Sequence, residues 1–221
     1  TTIWICWTAI HLENPNVGLS LGRLDQLLYD LYRKDIDNKT INIEQAIELI
    51  SCLWLKIGDH VPSIPEAGEQ LFGGTGSNQA ITIGGVDKDG KDAVNDLTYV
   101  MLKATELMKL RDPNLNARYY YGENSKEYLT RLCEVNINTG ATPAIHNDKA
   151  VIKALTSKGE TKEQARDYGV IGCVEPNSSG RHYGSTASIL LNLTSALELT
   201  LFNGRHRHTG MDLVISKETG K

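Results

Sequence analysis

Short apolar segments that read as strands alternate with longer amphipathic segments that read as helices, and this alternation most limits the fold. Residues 80–85, 115–120 and 168–175 have strand character. Between and around them, residues 93–110, 125–140 and 148–155 carry helical spacing, with Ser125, Asn147 or Asp148, and Thr161 as caps and Gly140 as a stop. Strands that alternate with helices imply an α/β architecture with a largely parallel sheet or barrel. Upstream, residues 2–13 read as a buried helix ended by Asn14-Pro15-Asn16. A second helix opens at Gly22, with Leu24, Leu27, Leu28 and Leu31 at helical spacing. Thr40 or Asn42 caps a third, whose stripe includes Ile43, Ala46, Ile47, Ile50 and Leu53. Residues 58–78 read as a long loop, and residues 186–202 as an apolar helix closed by Gly204.

The composition suits a globular protein with a substantial core, at 40% hydrophobic and 23% charged residues. A net charge of −4 and a pI near 5.9 argue against nucleic acid. No Lys/Arg run is long enough to track phosphates. No apolar run reaches the roughly 18 to 20 residues of a membrane span. No secretory leader is visible, and Cys6, Cys52, Cys133 and Cys173 are scattered without a Cys-x-x-Cys pair. The expectation is a reduced, cytoplasmic setting without disulfides or a metal site. The acidic turn at residues 86–92 lacks the spacing of a calcium loop, because Thr98 stands where the closing Glu is needed. The chain starts inside an apolar segment without Met and stops just after Leu213-Val214-Ile215, so it is expected to be part of a longer one.

The chemistry centres on the run Gly172-Cys173-Val174-Glu175-Pro176. If residues 168–175 form one strand, Cys173 and Glu175 share a face, with Val174 packed behind. A nearby carboxylate raises a thiol's pKa, which is wrong for a thiolate nucleophile and harmless for hydrogen-atom transfer. The alternative is a cysteine simply buried in a strand.

This run resembles the thiyl-radical cysteine motif of glycyl radical enzymes. Arg23-Leu24-Asp25-Gln26-Leu27-Leu28-Tyr29 is similar to that family's Arg-[FL]-Asp-Gln-x-[LM]-Tyr segment. Gly84-Gly85, Asp92, Asn95, Asp96, Leu97, Thr98 and Tyr99 are similar to its Gly-Gly-x-x-x-x-Gly-x-Asp-x-x-Asn-[ED]-[LM]-[ST]-Tyr segment. Pro113-Asn114-Leu115-Asn116-Ala117-Arg118, Asn147-Asp148 and Ala165-Arg166-Asp167-Tyr168-Gly169 follow in the family's order.

The resemblance implies a ten-stranded α/β barrel with the cysteine on a central loop, and residues 1–221 as its central portion. A glycyl radical would lie on a segment outside this chain, installed by an S-adenosylmethionine and iron–sulfur activating enzyme. The resemblance also implies a small-molecule substrate, a homodimer of the full-length subunit and no directly bound cofactor. Cys173 would carry the radical and Glu175 would act as general base. Gly172 and Glu175 depart from the Cys-Cys and following serine of the formate-acetyltransferase branch. This favours a lyase of dehydratase or decarboxylase type. A formate-acetyltransferase-like transferase, a fumarate-adding synthase and an inactive structural fragment remain alternatives. His146, Asp148, Asn177, Arg181 and His182 are candidate substrate contacts. Asp148 can instead be a helix cap, and residues 177–184 a polar turn.

Overall fold

The computed structural model describes residues 1–13, 18–59, 66, 79–181 and 192–213. Four parallel strands form a sheet in sequential order: β1 (Ser20–Arg23), β2 (Ala80–Gly84), β3 (Asn114–Tyr119) and β4 (Ala144–Asn147). Helix α1 (Thr2–Glu13) precedes β1. Helices α2 (Leu24–Leu27), α3 (Tyr29–Asp37) and α4 (Ile43–Gly58) lie between β1 and β2. Helix α5 (Asp96–Met108) connects β2 to β3, and α6 (Lys126–Thr139) connects β3 to β4. After β4 come α7 (Asp148–Ser157) and α8 (Lys162–Arg166), then an antiparallel hairpin of β5 (Tyr168–Ile171) and β6 (Glu175–Ser178). The chain forms two compact units, Thr1–Gly184 and Ser185–Lys221. The second contains α9 (Leu193–Leu201), capped by Asn192, and an exposed ion pair between Arg205 and Asp212. No helix among the described residues is long and apolar enough to cross a membrane.

Strand periodicity divides the sheet into two chemically different faces. Ile81, Ile83, Leu115 and Ala117 point to one face and are fully buried in a core with Ile50, Trp54, Met101, Leu102 and Leu132 from α4, α5 and α6. Trp54 also donates its indole N–H to Thr105 Oγ1 at 2.8 Å, which joins α4 to α5. Thr82, Asn116 and Arg118 point to the other face and are equally buried. That face carries the β5–β6 hairpin. The local stops and starts follow the chain's own chemistry. Asn42 and Asn95 form reciprocal capping boxes with Gln45 and Thr98, Ser125 caps α6, and Gly140 ends it at φ 88°.

Several expectations are corrected. The segment from Gly22 is strand β1 followed by α2 and α3, not one helix, and Leu27 and Leu31 are exposed. Helix α1 forms as expected but buries only Trp7 and His11. Its apolar residues run all round it, so one packed side leaves Ile5, Ile10 and Leu12 exposed. The expected strand over 168–175 ends at Ile171, because Gly172 takes the left-handed conformation at φ 62° and turns the chain. The Asn14-Pro15-Asn16 stop, most of the 58–78 loop, and residues 182–191 and 214–221 lie outside the described residues.

Helices α5 and α6 are also tied by charge. Glu106 accepts from Arg131 Nη2 at 2.7 Å, Lys103 Nζ at 2.8 Å and Asn138 Nδ2 at 2.7 Å. These donors, Arg131 foremost, hold the Glu106 carboxyl down at about 2. A depressed carboxyl pKa stabilises the fold fully above the unfolded value near 4.5, and that stabilisation is lost as pH falls toward about 2. Glu106→Gln is therefore expected to cost about 1 kcal/mol at pH 7. In thermal unfolding the gap from the native protein should narrow steadily below pH 4.5.

Candidate active site

Cys173 lies at the tip of the β5–β6 hairpin, and its thiol is exposed. It borders a cavity of about 450 Å³ with Lys109, Arg111, Asn114, Thr142 and Val174. Glu175 begins β6, opposite Ile171, and its Oε2 accepts from the Val174 N–H at 2.8 Å. The two residues are thus joined by one tight turn rather than by one strand face. Val174 is 52% exposed instead of packed behind them.

Side chains of the sheet's polar face hold the hairpin. Ser20 Oγ donates to the Val170 carbonyl at 2.6 Å, and Thr82 Oγ1 accepts from the Val170 N–H at 2.8 Å. Asn114 Nδ2 donates to the Gly172 carbonyl at 3.2 Å and also to the Cys173 carbonyl. A Cβ at Gly169 would stand 3.2 Å from Ser179 Oγ, so a small residue lets the hairpin lie close.

Farther along the same face is a buried ionic framework. Arg118 grips Asp148 with Nε to Oδ1 at 2.8 Å and Nη2 to Oδ2 at 3.1 Å, and neither side chain is exposed. Asp148 Oδ2 also accepts from the Val86 N–H at 3.1 Å. Arg118 reaches the carbonyls of Arg166 at 2.8 Å and Tyr168 at 3.1 Å, and lies over the Tyr168 ring. Beside it, Arg23 donates to the carbonyls of Gly84 and Val86, both at 3.0 Å, and to Asp167 at 3.3 Å. Burial lowers the Arg23 pKa. Asp25 is fully buried and accepts from the Gly84 N–H and Thr98 Oγ1, both at 2.7 Å, while burial raises its pKa. The Gly84-Gly85 pair is thereby explained. A Cβ on Gly84 would collide with the Tyr128 hydroxyl, and one on Gly85 would meet Asp148 Oδ2 at 2.7 Å.

The remaining sequence candidates are spread out. His146 on β4 places Nε2 2.9 Å from Asn116 Oδ1, and burial lowers its pKa. Asp148 is the first residue of α7 and belongs to the buried pair, while Asn147 supplies the cap. Asn177 on β6 donates to the Glu175 carbonyl at 3.3 Å. Arg181 borders a second cavity, of about 470 Å³, with Lys88, Gln164, Asp167 and Ser178. His182 lies outside the described residues. Ser20, Thr82 and Asn114 were not singled out from the sequence. A signal exists on β3 alone, where Asn114, Asn116 and Arg118 alternate with Leu115 and Ala117; Thr82 is the single polar residue of β2, and Ser20 shares β1 with Arg23. Among the described residues, no group of three or more His, Cys, Asp or Glu side chains could hold a metal ion.

A family model described as "Pyruvate formate lyase-like" matches residues 1–221. The chain belongs to that family. An isethionate sulfite-lyase from Oleidesulfovibrio alaskensis is 36% identical over 188 residues, which is 85% of this chain and 23% of that protein. A glycyl radical enzyme from Archaeoglobus fulgidus superposes with a TM-score of 0.88 at 37% identity, over 95% of this chain and 27% of that one. The glycerol-bound B12-independent glycerol dehydratase from Clostridium butyricum gives a TM-score of 0.86 at 36% identity, over 94% of this chain and 26% of its own. The chain spans about a quarter of the length of these relatives. The resemblance to glycyl radical enzymes of the dehydratase branch therefore holds in both sequence and structure.

The buried pair yields a test. Asp148→Ala should cost about 3–5 kcal/mol, because it strands the Arg118 guanidinium without its counter-ion. The joint replacement Arg118→Met with Asp148→Leu should recover a large part of that loss in thermal unfolding.

Proposed function

We propose that residues 1–221 are the central portion of a glycyl radical lyase of dehydratase or decarboxylase type, built on a ten-stranded α/β barrel. The observation that carries this reading is the Cys173 thiol, exposed at a hairpin tip beside a cavity, with the Glu175 carboxylate fixed in the same turn. The four sequential parallel strands, polar toward the hairpin and apolar toward the helices, suit an arc of such a barrel. The names of the relatives, a sulfite-lyase and a glycerol dehydratase, favour a lyase over an acyl transferase.

A glycyl radical on a segment outside these residues would supply an acceptor for one hydrogen atom. The exposed thiol suits that exchange, since it is tied up in neither a disulfide nor, among the described residues, a metal cluster. Cys173 gives up its hydrogen atom and becomes a thiyl radical. The sulfur then takes a hydrogen atom from a substrate C–H bond and re-forms S–H. Glu175 accepts the proton of a hydroxyl on that carbon, which lets the adjacent group depart with its bonding electron pair. The remaining carbon radical takes the hydrogen atom back from Cys173. Residues of the cavity beside Cys173 orient the substrate, and the rest of the full-length barrel would keep water out. The protein acts in the cytoplasm as a homodimer, on a small organic substrate. It is activated by an S-adenosylmethionine and iron–sulfur enzyme. His146, Asn177, Arg181 and His182 are the further residues assigned to substrate.

The test uses the full-length subunit, activated anaerobically. Cys173→Ala should keep the glycyl radical signal in electron paramagnetic resonance but show no turnover. Glu175→Gln should keep the signal and lose about 10²- to 10⁴-fold in kcat. Formate release from pyruvate and a free thiol cofactor would replace the lyase with a transferase. Full turnover by Cys173→Ala would remove the radical relay altogether.

A further inference from the structure

We propose that Asn114 is the positioning residue of the Cys173 thiol. This rests on the radical reading above and adds the group that aims the sulfur. One amide nitrogen, Asn114 Nδ2, donates to two consecutive carbonyls, those of Gly172 and Cys173. These carbonyls belong to the peptide planes on either side of the Cys173 Cα. Holding both planes fixes φ and ψ of Cys173, and with them the direction of its Cα–Cβ bond. The tip has little else to hold it. Gly172 has no side chain and turns at φ 62°, Val174 is half exposed, and the Glu175 carboxylate bonds within the turn itself.

Asn114 is itself well anchored. It pairs with Ala80 in the parallel ladder, and its N–H donates to the Gln79 carbonyl at 2.7 Å. Its carbonyl accepts from Asn116 Nδ2 at 3.1 Å, and Asn116 in turn contacts His146. It borders the same cavity as the thiol. The carboxamide therefore transmits the position of a rigid strand to a loop that would otherwise pivot on glycine. Ser20 and Thr82 do the same for Val170 at the loop's base, but among the described residues Asn114 is the side chain that reaches the two peptides around the cysteine. Radical transfer depends steeply on the distance and direction between the exchanging atoms, so a loosened tip slows chemistry more than substrate binding.

The experiment compares Asn114→Ala and Asn114→Asp in the full-length subunit. The aspartate keeps the shape but removes both N–H donors. Three quantities are read: glycyl radical per subunit after activation, kcat and KM separately, and the alkylation rate of Cys173 by iodoacetamide before activation. Peptide mass spectrometry scores the alkylation, with the exposed Cys52 and Cys133 as internal references. The expected result is an unchanged radical yield, a kcat lower by ~10- to 100-fold, and a KM within about threefold of the native value. Cys173 alkylation should rise several-fold while the reference cysteines stay constant. If kcat and Cys173 alkylation both stay within about twofold of native in both variants, while Cys173→Ala is inactive, the positioning role is wrong and the radical reading stands. If Cys173→Ala remains active, the radical reading fails. The alkylation rate still decides whether Asn114 holds the thiol, because it needs no turnover.

Discussion

The Arg118–Asp148 ion pair is the constraint on which the rest depends. Both groups are wholly buried, and hydrogen bonds from the surrounding backbone offset the cost of burying their charges. The pair and its partners come from four separate places: Arg118 on strand β3, Asp148 at the start of α7, the Val86 amide after β2, and the carbonyls of Arg166 and Tyr168 around the start of β5. A charge pair of this kind contributes little net stability compared with apolar residues of equal volume. What it does is make any other register costly, because a slipped strand leaves an unpaired charge in a dry interior. The double glycine at 84–85 is the steric counterpart, since any side chain there would occupy the space of the pair or of Tyr128.

From that framework the hairpin runs along the polar face toward the cysteine, and the character of the contacts changes. Behind the sheet, Ile81, Ile83, Leu115 and Ala117 bury apolar area against helices, at roughly 25 cal/mol per Å² removed from water. In front, the hairpin is held by one hydrogen bond each with Ser20 and Thr82 and by two from Asn114. Such bonds each contribute only about 0.5–1.5 kcal/mol net, but they are directional. The core therefore supplies rigidity and the polar face supplies aim. A loop held in this way can be set accurately without a heavy apolar seat that would fill the cavity beside it.

The sequence made the helices legible where a cap and a periodic face coincided. Asn42, Ser125, Asn147 and Gly140 stand where capping chemistry placed them. It hid β1 and β4, because four residues such as Ala144-Ile145-His146-Asn147 are too few for alternation to show. The hairpin was misread as one strand because apolar residues 168–171 and 174 continue across Gly172, whose φ is not written in the pattern. The ordered motifs pointed to the family, yet the roles of Arg23, Asp25, Arg118 and Asp148 were out of reach. Their partners are 30 to 144 positions away, and only tertiary structure brings them together. Asp148 shows this best. Beside His146 it read as a pocket wall or a cap, and it is instead the buried anion that closes the network.

The proposed reading asks the Cys173 thiol and the Glu175 carboxylate to act on one substrate, and a single short turn joins them. The Glu175 carboxylate is held by the amide of the one residue between it and the cysteine. That bond ties the carboxylate to the peptide that follows Cys173, so the Glu175 side chain is referenced to the tip rather than to the sheet. The walls of the cavity beside the thiol come from the αβ loops, with Lys109, Arg111 and Thr142. Under the proposed reading, the turn carries the reaction and these walls select the substrate.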